Sequence, residues 1–314
     1  MLLARFPLIL SSEYAERGDA LRMIVFAGPN GSGKSSVNKI ILANPANAFT
    51  GEYVNADDIA RSLETSIPDY YARNVEAARI AEQRRQNALA EGRSFAFETV
   101  LSTPEKVALL TQAQAKGYDV TLIFVTLNDP QLNVKRVATR VQKGGHSVEP
   151  DAIVARYAKT MGLLASAIEH SDKAVIFDNS GAAPVVVATK ENGKLTIRDV
   201  NAGAWVGLYL IMPTQDRARS LDSINATIEQ IKAIKPADAV PIIVQNANAE
   251  NGRNYEGKVL AVASHHVLQQ DHSGTFVHDL SLLAPVNLKP GQVVSLQYAY
   301  DKGKIVLPAS NRER

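Results

Sequence analysis

Short apolar runs alternate with longer amphipathic stretches through the first half of the chain. Residues 23–27 (Met-Ile-Val-Phe-Ala) form an apolar run of strand length, followed at once by Gly28-Pro29-Asn30-Gly31-Ser32-Gly33. Behind that loop Val37, Ile40 and Ile41 recur at three- and four-residue spacing, the mark of one helical face. Further strands are expected at 94–97, 120–127 and 174–177, with helices at 71–91, 104–116, 130–142 and 151–170. Strands alternating with helices of this length predict an α/β unit, a parallel sheet covered on both faces.

After Ser180 the pattern changes. Residues 184–189 and 195–200 flank Asn192-Gly193 and read as an antiparallel hairpin. Leu221, Ile224, Ile228, Ile231 and Ile234 recur every three or four residues, which predicts a helix over 215–234 that Pro236 stops. The Asn-rich stretch 245–256 reads as a linker, and short strands at 258–263, 275–278, 293–298 and 304–307 make a small β-rich module. The expected organisation is an extension at 1–22, a domain at 23–200, a helical segment and linker at 201–254, and the β-rich domain at 255–314.

Composition narrows the chemistry. Of 314 residues none is cysteine, which removes disulfides, thiolate zinc sites and cysteine nucleophiles. Lys+Arg (34) nearly balances Asp+Glu (32), so a formal charge of +2 makes no case for nucleic acid or an anionic membrane as partner. The apolar residues 2–10 are interrupted by Arg5 and Pro7, too short to span a bilayer, and Glu13-Tyr14-Ala15-Glu16 is no signal-peptidase site. The expected location is the cytoplasm. Four of the six histidines (His265, His266, His272 and His278) fall in the tail, but adjacent residues of a strand face opposite sides, which argues against a metal shared by His265 and His266.

Residues 28–35 satisfy G-x-x-x-x-G-K-[ST]. In that pattern glycines let backbone N–H groups turn inward around a phosphate, and the following helix offers its positive end. Gly28, Pro29, Asn30, Gly31, Ser32, Gly33 and Ser36 are therefore expected to cradle a nucleoside triphosphate, ATP or GTP. Lys34 is expected on the β- and γ-phosphates and Ser35 on Mg²⁺. No Asn/Thr-Lys-x-Asp sequence is present to read guanine in the manner of a GTPase, and the apolar run at 120–127 does not end in an acidic pair.

Two carboxylates stand where apolar approaches end. In Tyr53-Val54-Asn55-Ala56-Asp57-Asp58 an acid precedes a helix at the carboxyl edge of the expected sheet. Asp57 is the candidate to take a proton from an acceptor hydroxyl or to hold Mg²⁺, with Asp58 in reserve; helix capping is its simpler role. In Phe97-Glu98-Thr99-Val100-Leu101-Ser102, Glu98 can accept hydrogen bonds from substrate hydroxyls, and Thr99 or Ser102 can reach a sugar or phosphate. Arg136 and Arg140 share a helix face ahead of Gly144-Gly145-His146, with Arg156 beyond. Arginines around a glycine hinge suit a lid that neutralises charge on a transferring phosphoryl group; a solvated basic face is the alternative.

Taken in order, these motifs resemble the zeta-toxin family of P-loop kinases over residues 23–180, including Gly117-Tyr118 and Asp178-Asn179-Ser180. The resemblance implies an α/β P-loop kinase, cytoplasmic and held in check by an antitoxin protein, that uses ATP or GTP with Mg²⁺ to phosphorylate the 3′-hydroxyl of the sugar in UDP-N-acetylglucosamine. It implies Lys34 and Ser35 on nucleotide and metal, and Asp57 as general base. Glu98 and Thr99 would hold the nucleotide-sugar acceptor, Arg140 and Arg156 the transferring group, and Arg136 would lie nearer the nucleotide. The family's plasmid toxins carry an arginine shortly after the Glu-Thr pair, where this chain has Leu101-Ser102. A kinase for another sugar, nucleoside or antibiotic, and a nucleotide-dependent binding module, are the alternative functions. The tail at about 255–310 is similar to a KfrB-type domain through Gly257-Lys258-Val259-Leu260, His266-Val267-Leu268-Gln269-Gln270, His278 and Tyr298.

Overall fold

The computed structural model describes residues 20–43, 49–143, 147–234, 243–283, 286–298 and 304–306. The chain divides into two compact units, Met1–Ser102 with Ala113–Gly162 and His170–Val206, and Thr103–Gln112 with Leu163–Glu169 and Gly207–Arg314.

The first unit is built on a seven-stranded sheet. Its middle strand β1 (Arg22–Ala27) lies between β3 (Phe95–Thr99) and β4 (Asp119–Thr126), with β2 (Glu52–Val54) and β5 (Lys173–Asp178) outside them, all parallel. Met23 to Ala27 are fully buried on both faces, which is why these strands read as unbroken apolar runs rather than alternating ones. Ile24, Phe26, Ile123, Val125 and Phe177 pack with Val37 and Ile41 of helix α1 (Lys34–Leu42). On the opposite side Arg85 of α3 (Tyr70–Glu91) stacks over the Phe97 ring, and Thr126 of β4 donates to the Met161 sulfur of α6 (Pro150–Glu169). The sheet is flanked by helices, as expected.

The hairpin after Ser180 forms where the sequence puts it. β6 (Val185–Glu191) and β7 (Lys194–Ile197) turn through Asn192 and Gly193, both at positive φ, and β6 adds antiparallel to β5. The chain leaves β1 toward β2 and leaves β4 toward β5. The adjacent carboxyl ends of β1 and β4 therefore bound a topological switch point, where α/β sheets open a crevice.

The second unit carries a six-stranded sheet in the order β13 (Lys304–Val306), β12 (Val293–Gln297), β9 (Asn254–Val262), β10 (His266–Asp271), β11 (Thr275–Asp279), β8 (Val244–Asn246). Leu268 on one face packs under Ile224 and Ile228 of α7 (Met212–Ile234); Val259, Val267, Val294 and Leu296 pack with Leu288 on the other. A π-helical stretch, Val206–Ile211, runs into α7 where Pro213 has no N–H to give and the Thr214 hydroxyl donates to Leu210 O. The reading of 245–256 as a linker is corrected: strands occupy its two ends, and Ala247 and Ala249 between them are buried. Ala249 bonds through both backbone groups, from Gln112 and to Thr111. Its asparagines look like linker composition because they shape turns, as when Asn248 Oδ1 accepts from Glu250 N. The expected stop at Pro236 and the extension's residues 1–19 lie outside the described residues. No helix among the described residues is long and apolar enough to cross a membrane.

Candidate active site

The loop after β1 is shaped by backbone that only glycine tolerates. Gly28 sits at φ 142°, and a Cβ there would lie 2.0 Å from Val125 O on β4. Gly33 opens α1 in the left-handed conformation. The loop is braced from two sides. Asn133 of α5 (Pro130–Gln142) donates through Nδ2 to Asn30 O at 2.6 Å, and Asn179 Nδ2 donates to Ser32 O at 2.8 Å. Helix α1 has no side-chain cap and no acid in its first turn, so its N-terminal amides face outward as an anion site requires. Buried Asn30 Oδ1 and Ser32 Oγ have no hydrogen-bond partner among the described residues. These features fit a phosphate chain.

Lys34 Nζ donates to Gly28 O at 2.8 Å and Pro29 O at 3.0 Å, which folds the ammonium over the loop. Burial pushes its pKa down to about 8; the Glu98 and Asp57 carboxylates oppose that shift, and the Arg140 guanidinium adds to it. Three expected site residues thus act electrostatically on a fourth, Lys34.

Glu98, at the end of β3, is held by three neutral donors. Its Oε2 accepts from Ser35 Oγ at 3.1 Å, and Oε1 accepts from Asn38 Nδ2 at 3.1 Å and Tyr53 OH at 2.8 Å. Burial first, then the Glu98 charge, pushes the Tyr53 phenol up, so it stays a donor. Asp57 stands in the first turn of α2 (Ala56–Ser62), exposed to solvent. It is not the cap: Asn55 takes that role, its Oδ1 accepting from Asp57 N at 2.8 Å. Asp58 pairs with Arg61, so of the two aspartates Asp57 is the one whose charge reaches Lys34.

The remaining expected residues divide. Arg136 of α5 donates to Asn179 O at 2.8 Å, next to the loop's brace. Arg156 is exposed on α6, although its neighbour Tyr157 anchors that helix by donating to Leu127 O at 2.8 Å. Thr99 Oγ1 accepts from Leu101 N at 3.1 Å, which commits one lone pair to the turn after β3 and leaves its O–H to donate; Leu101 is fully buried at φ 57°, and Ser102 is half-buried. Gly144-Gly145-His146, the expected lid hinge, lies outside the described residues. The sequence reading missed Asn38, Asn133, Asn179 and Tyr53 as site residues. Asn38 and Asn133 did leave a signal: each is a polar side chain on the apolar stripe of its helix, one turn from Lys34 and Val137 respectively.

The Zeta toxin family model matches residues 11–199, and the KfrB Domain model matches residues 254–307. An uncharacterized protein of Haemophilus influenzae is 27% identical over 137 residues, covering 43% of this chain and 92% of that protein. The crystal structure of AvrRxo1-ORF1:AvrRxo1-ORF2 with sulphate ions is similar at a TM-score of 0.50 and 16% identity, over 65% of this chain and 67% of that one. The same two-protein structure with ATP gives the same values. At that identity the likeness speaks for the fold, a P-loop kinase fold with a mostly parallel sheet. The family match spans more than half of the chain, so the chain belongs to the zeta-toxin family and carries a KfrB domain behind its kinase fold.

Proposed function

We propose that this chain is a cytoplasmic kinase that uses ATP or GTP, with Mg²⁺, to phosphorylate a sugar hydroxyl of a nucleotide sugar, UDP-N-acetylglucosamine first among the candidates. The observation that carries the reading is Lys34 folded over a glycine loop, with Asp57 an exposed acid free of capping duty on the first turn of α2. A phosphate loop alone serves any nucleotide-binding protein, whereas a carboxylate beside it serves an acceptor that must lose a proton. A similar structure holding ATP supports the nucleotide donor. Membership of a toxin family supports an antitoxin partner.

In this reading residues 28–36 cradle the phosphates and Lys34 draws charge from the β- and γ-oxygens. Ser35 and Asp57 would hold Mg²⁺, which would supply positive charge to offset that of the phosphates. Asp57 accepts the acceptor's proton; Glu98, Thr99 and Ser102 orient the sugar; Arg140 and Arg156 offset charge on the transferring group, and Arg136 lies toward the nucleotide. Incubation with labelled ATP and UDP-N-acetylglucosamine tests the reading. Asp57→Ala should lower turnover by about 10²- to 10⁴-fold while nucleotide still binds. Turnover at the wild-type rate would remove Asp57 as base.

A second acceptor is favoured by one observation. Leu101 is fully buried, in the neighbourhood where the family's plasmid toxins carry an arginine, so the contact which that arginine makes must be absent or come from elsewhere. Another sugar, a nucleoside or an antibiotic would then be the acceptor. A metabolite extract supplied with labelled ATP separates these, since the label marks whichever molecule gains it. Label that appears only in inorganic phosphate would instead favour a nucleotide-dependent binding module.

A further inference from the structure

Tyr53 spends its phenol completely. It donates to Glu98 Oε1 at 2.8 Å and accepts from Asn55 Nδ2 at 3.1 Å and from Asn38 Nδ2, which uses its one proton and both lone pairs. Each partner belongs to a different part of the site. Asn38 lies on α1, one turn beyond Lys34, and Glu98 takes a further bond from Ser35 at the start of that helix. Asn55 turns its other end to the backbone N–H of Asp57, at 2.8 Å. A single hydrogen-bonded path therefore runs from the phosphate-binding helix through Glu98, Tyr53 and Asn55 to the residue bearing the exposed acid. Helix α2 is seven residues long and its cap is one side chain, so that path helps set where its first turn stands, beside the burial of Ile59 and Ala60.

We propose that Tyr53 is a positioning residue: it ties the first turn of α2, and with it the Asp57 carboxylate, to the phosphate-binding helix α1. The inference rests on the reading of Asp57 as general base. Tyr53 touches neither nucleotide nor acceptor in this role; it sets the distance across which a proton must move, a quantity to which rate is steep.

Tyr53→Phe keeps the ring and removes the hydroxyl. Its kcat should fall about 10- to 100-fold with the KM for nucleotide unchanged, because the loop and Lys34 are left intact. Amide hydrogen exchange over residues 56–62 should accelerate while exchange in β1 and α5 stays at wild-type rates. Asn55→Asp is the companion variant, retaining an acceptor for Asp57 N but losing the donor to Tyr53, and it should reproduce the kcat loss. It also carries the test if Tyr53→Phe does not fold. Wild-type kcat in either folded variant overturns the proposal, and so does a kcat loss with unchanged exchange at 56–62. Wild-type protein that transfers phosphate to no acceptor overturns the kinase reading instead. The exchange arm needs no turnover and decides by itself whether Tyr53 holds α2.

Discussion

Two polar clusters in this chain, one half-buried and one largely buried, are built to opposite rules. In the first unit one carboxylate, Glu98, meets only neutral donors, while Asn30 Oδ1, Ser32 Oγ and Asn38 Oδ1 have no partner among the described residues. In the second unit Arg217 of α7 is clamped between two acids, donating through Nε to Glu169 Oε2 at 2.7 Å and through Nη2 to Asp279 Oδ2. Glu169 Oε1 meets His266 Nε2 at 2.8 Å, His266 Nδ1 meets Ser220 Oγ at 2.9 Å, and Asp279 also accepts from Ser166 and Ser281. Burial alone would lower the Arg217 guanidinium, but Asp279 and Glu169 outweigh it and raise it. The second cluster sets its charges against one another. The first leaves capacity unspent, which a buried site retains only at a cost in stability. Function is legible in that difference more than in the count of charges.

Four experiments would break or sharpen the contrast. Lys34→Met should lower phosphoryl transfer by between about 10³- and 10⁵-fold, the range for a cation acting on the transferring group, with little change in melting temperature. Steady-state kinetics beside a melting curve reads both. Arg217→Met should do the reverse, removing the cation that Glu169 and Asp279 share and destabilising the protein by about 3–5 kcal/mol, with nucleotide affinity per folded molecule unchanged. A changed nucleotide Kd at an unchanged melting temperature would erase the contrast.

The third concerns pH. Lys34 is cationic below about 8 and neutral above it, so nucleotide affinity should weaken as pH rises through 8, by up to about tenfold per unit beyond. Lys34→Arg should flatten that profile in a titration from pH 7 to 9.5. The same shift acts on folding: between about 8 and the ordinary 10.5 the unfolded chain keeps a proton that the folded one has released, so stability gained from this group rises with pH there. The smallest effect is expected for Asn179→Ala, which removes one brace on the loop. About 1 kcal/mol, or roughly a fivefold rise in the KM for ATP, would follow from losing one such bond.

How much of this could be read beforehand depended on how local the cause was. The helix expected at 130–142 is found as Pro130–Gln142, because its start is written in adjacent residues: Asp129 Oδ1 accepts from Gln131 N, and proline takes the first turn. The phosphate loop was equally legible, its chemistry lying in the spacing itself. Strand β10 was not expected, since buried His266 and Gln269 interrupt any apolar run, and what satisfies them comes from α6, α7 and β12. Strand β8 is three residues long and exists only through parallel pairing with β11. In the site, Asn133 and Asn179 brace loop residues 103 and 147 positions away, and no window of sequence contains both ends of such a contact. Tyr53 and Asn55 were in view, but only the fold made them partners of Glu98.

The close approach of Gly28 to β4 separates two kinds of inactivity. A side chain at that position meets the Val125 carbonyl of a neighbouring strand before it meets any phosphate. In a library of variants sorted for soluble expression alone, substitutions at Gly28 would be depleted, while substitutions at Lys34 would persist as well-folded, inert protein. A motif usually treated as one functional signature thus has two selective pressures behind it: architecture at its first glycine, and chemistry at its lysine.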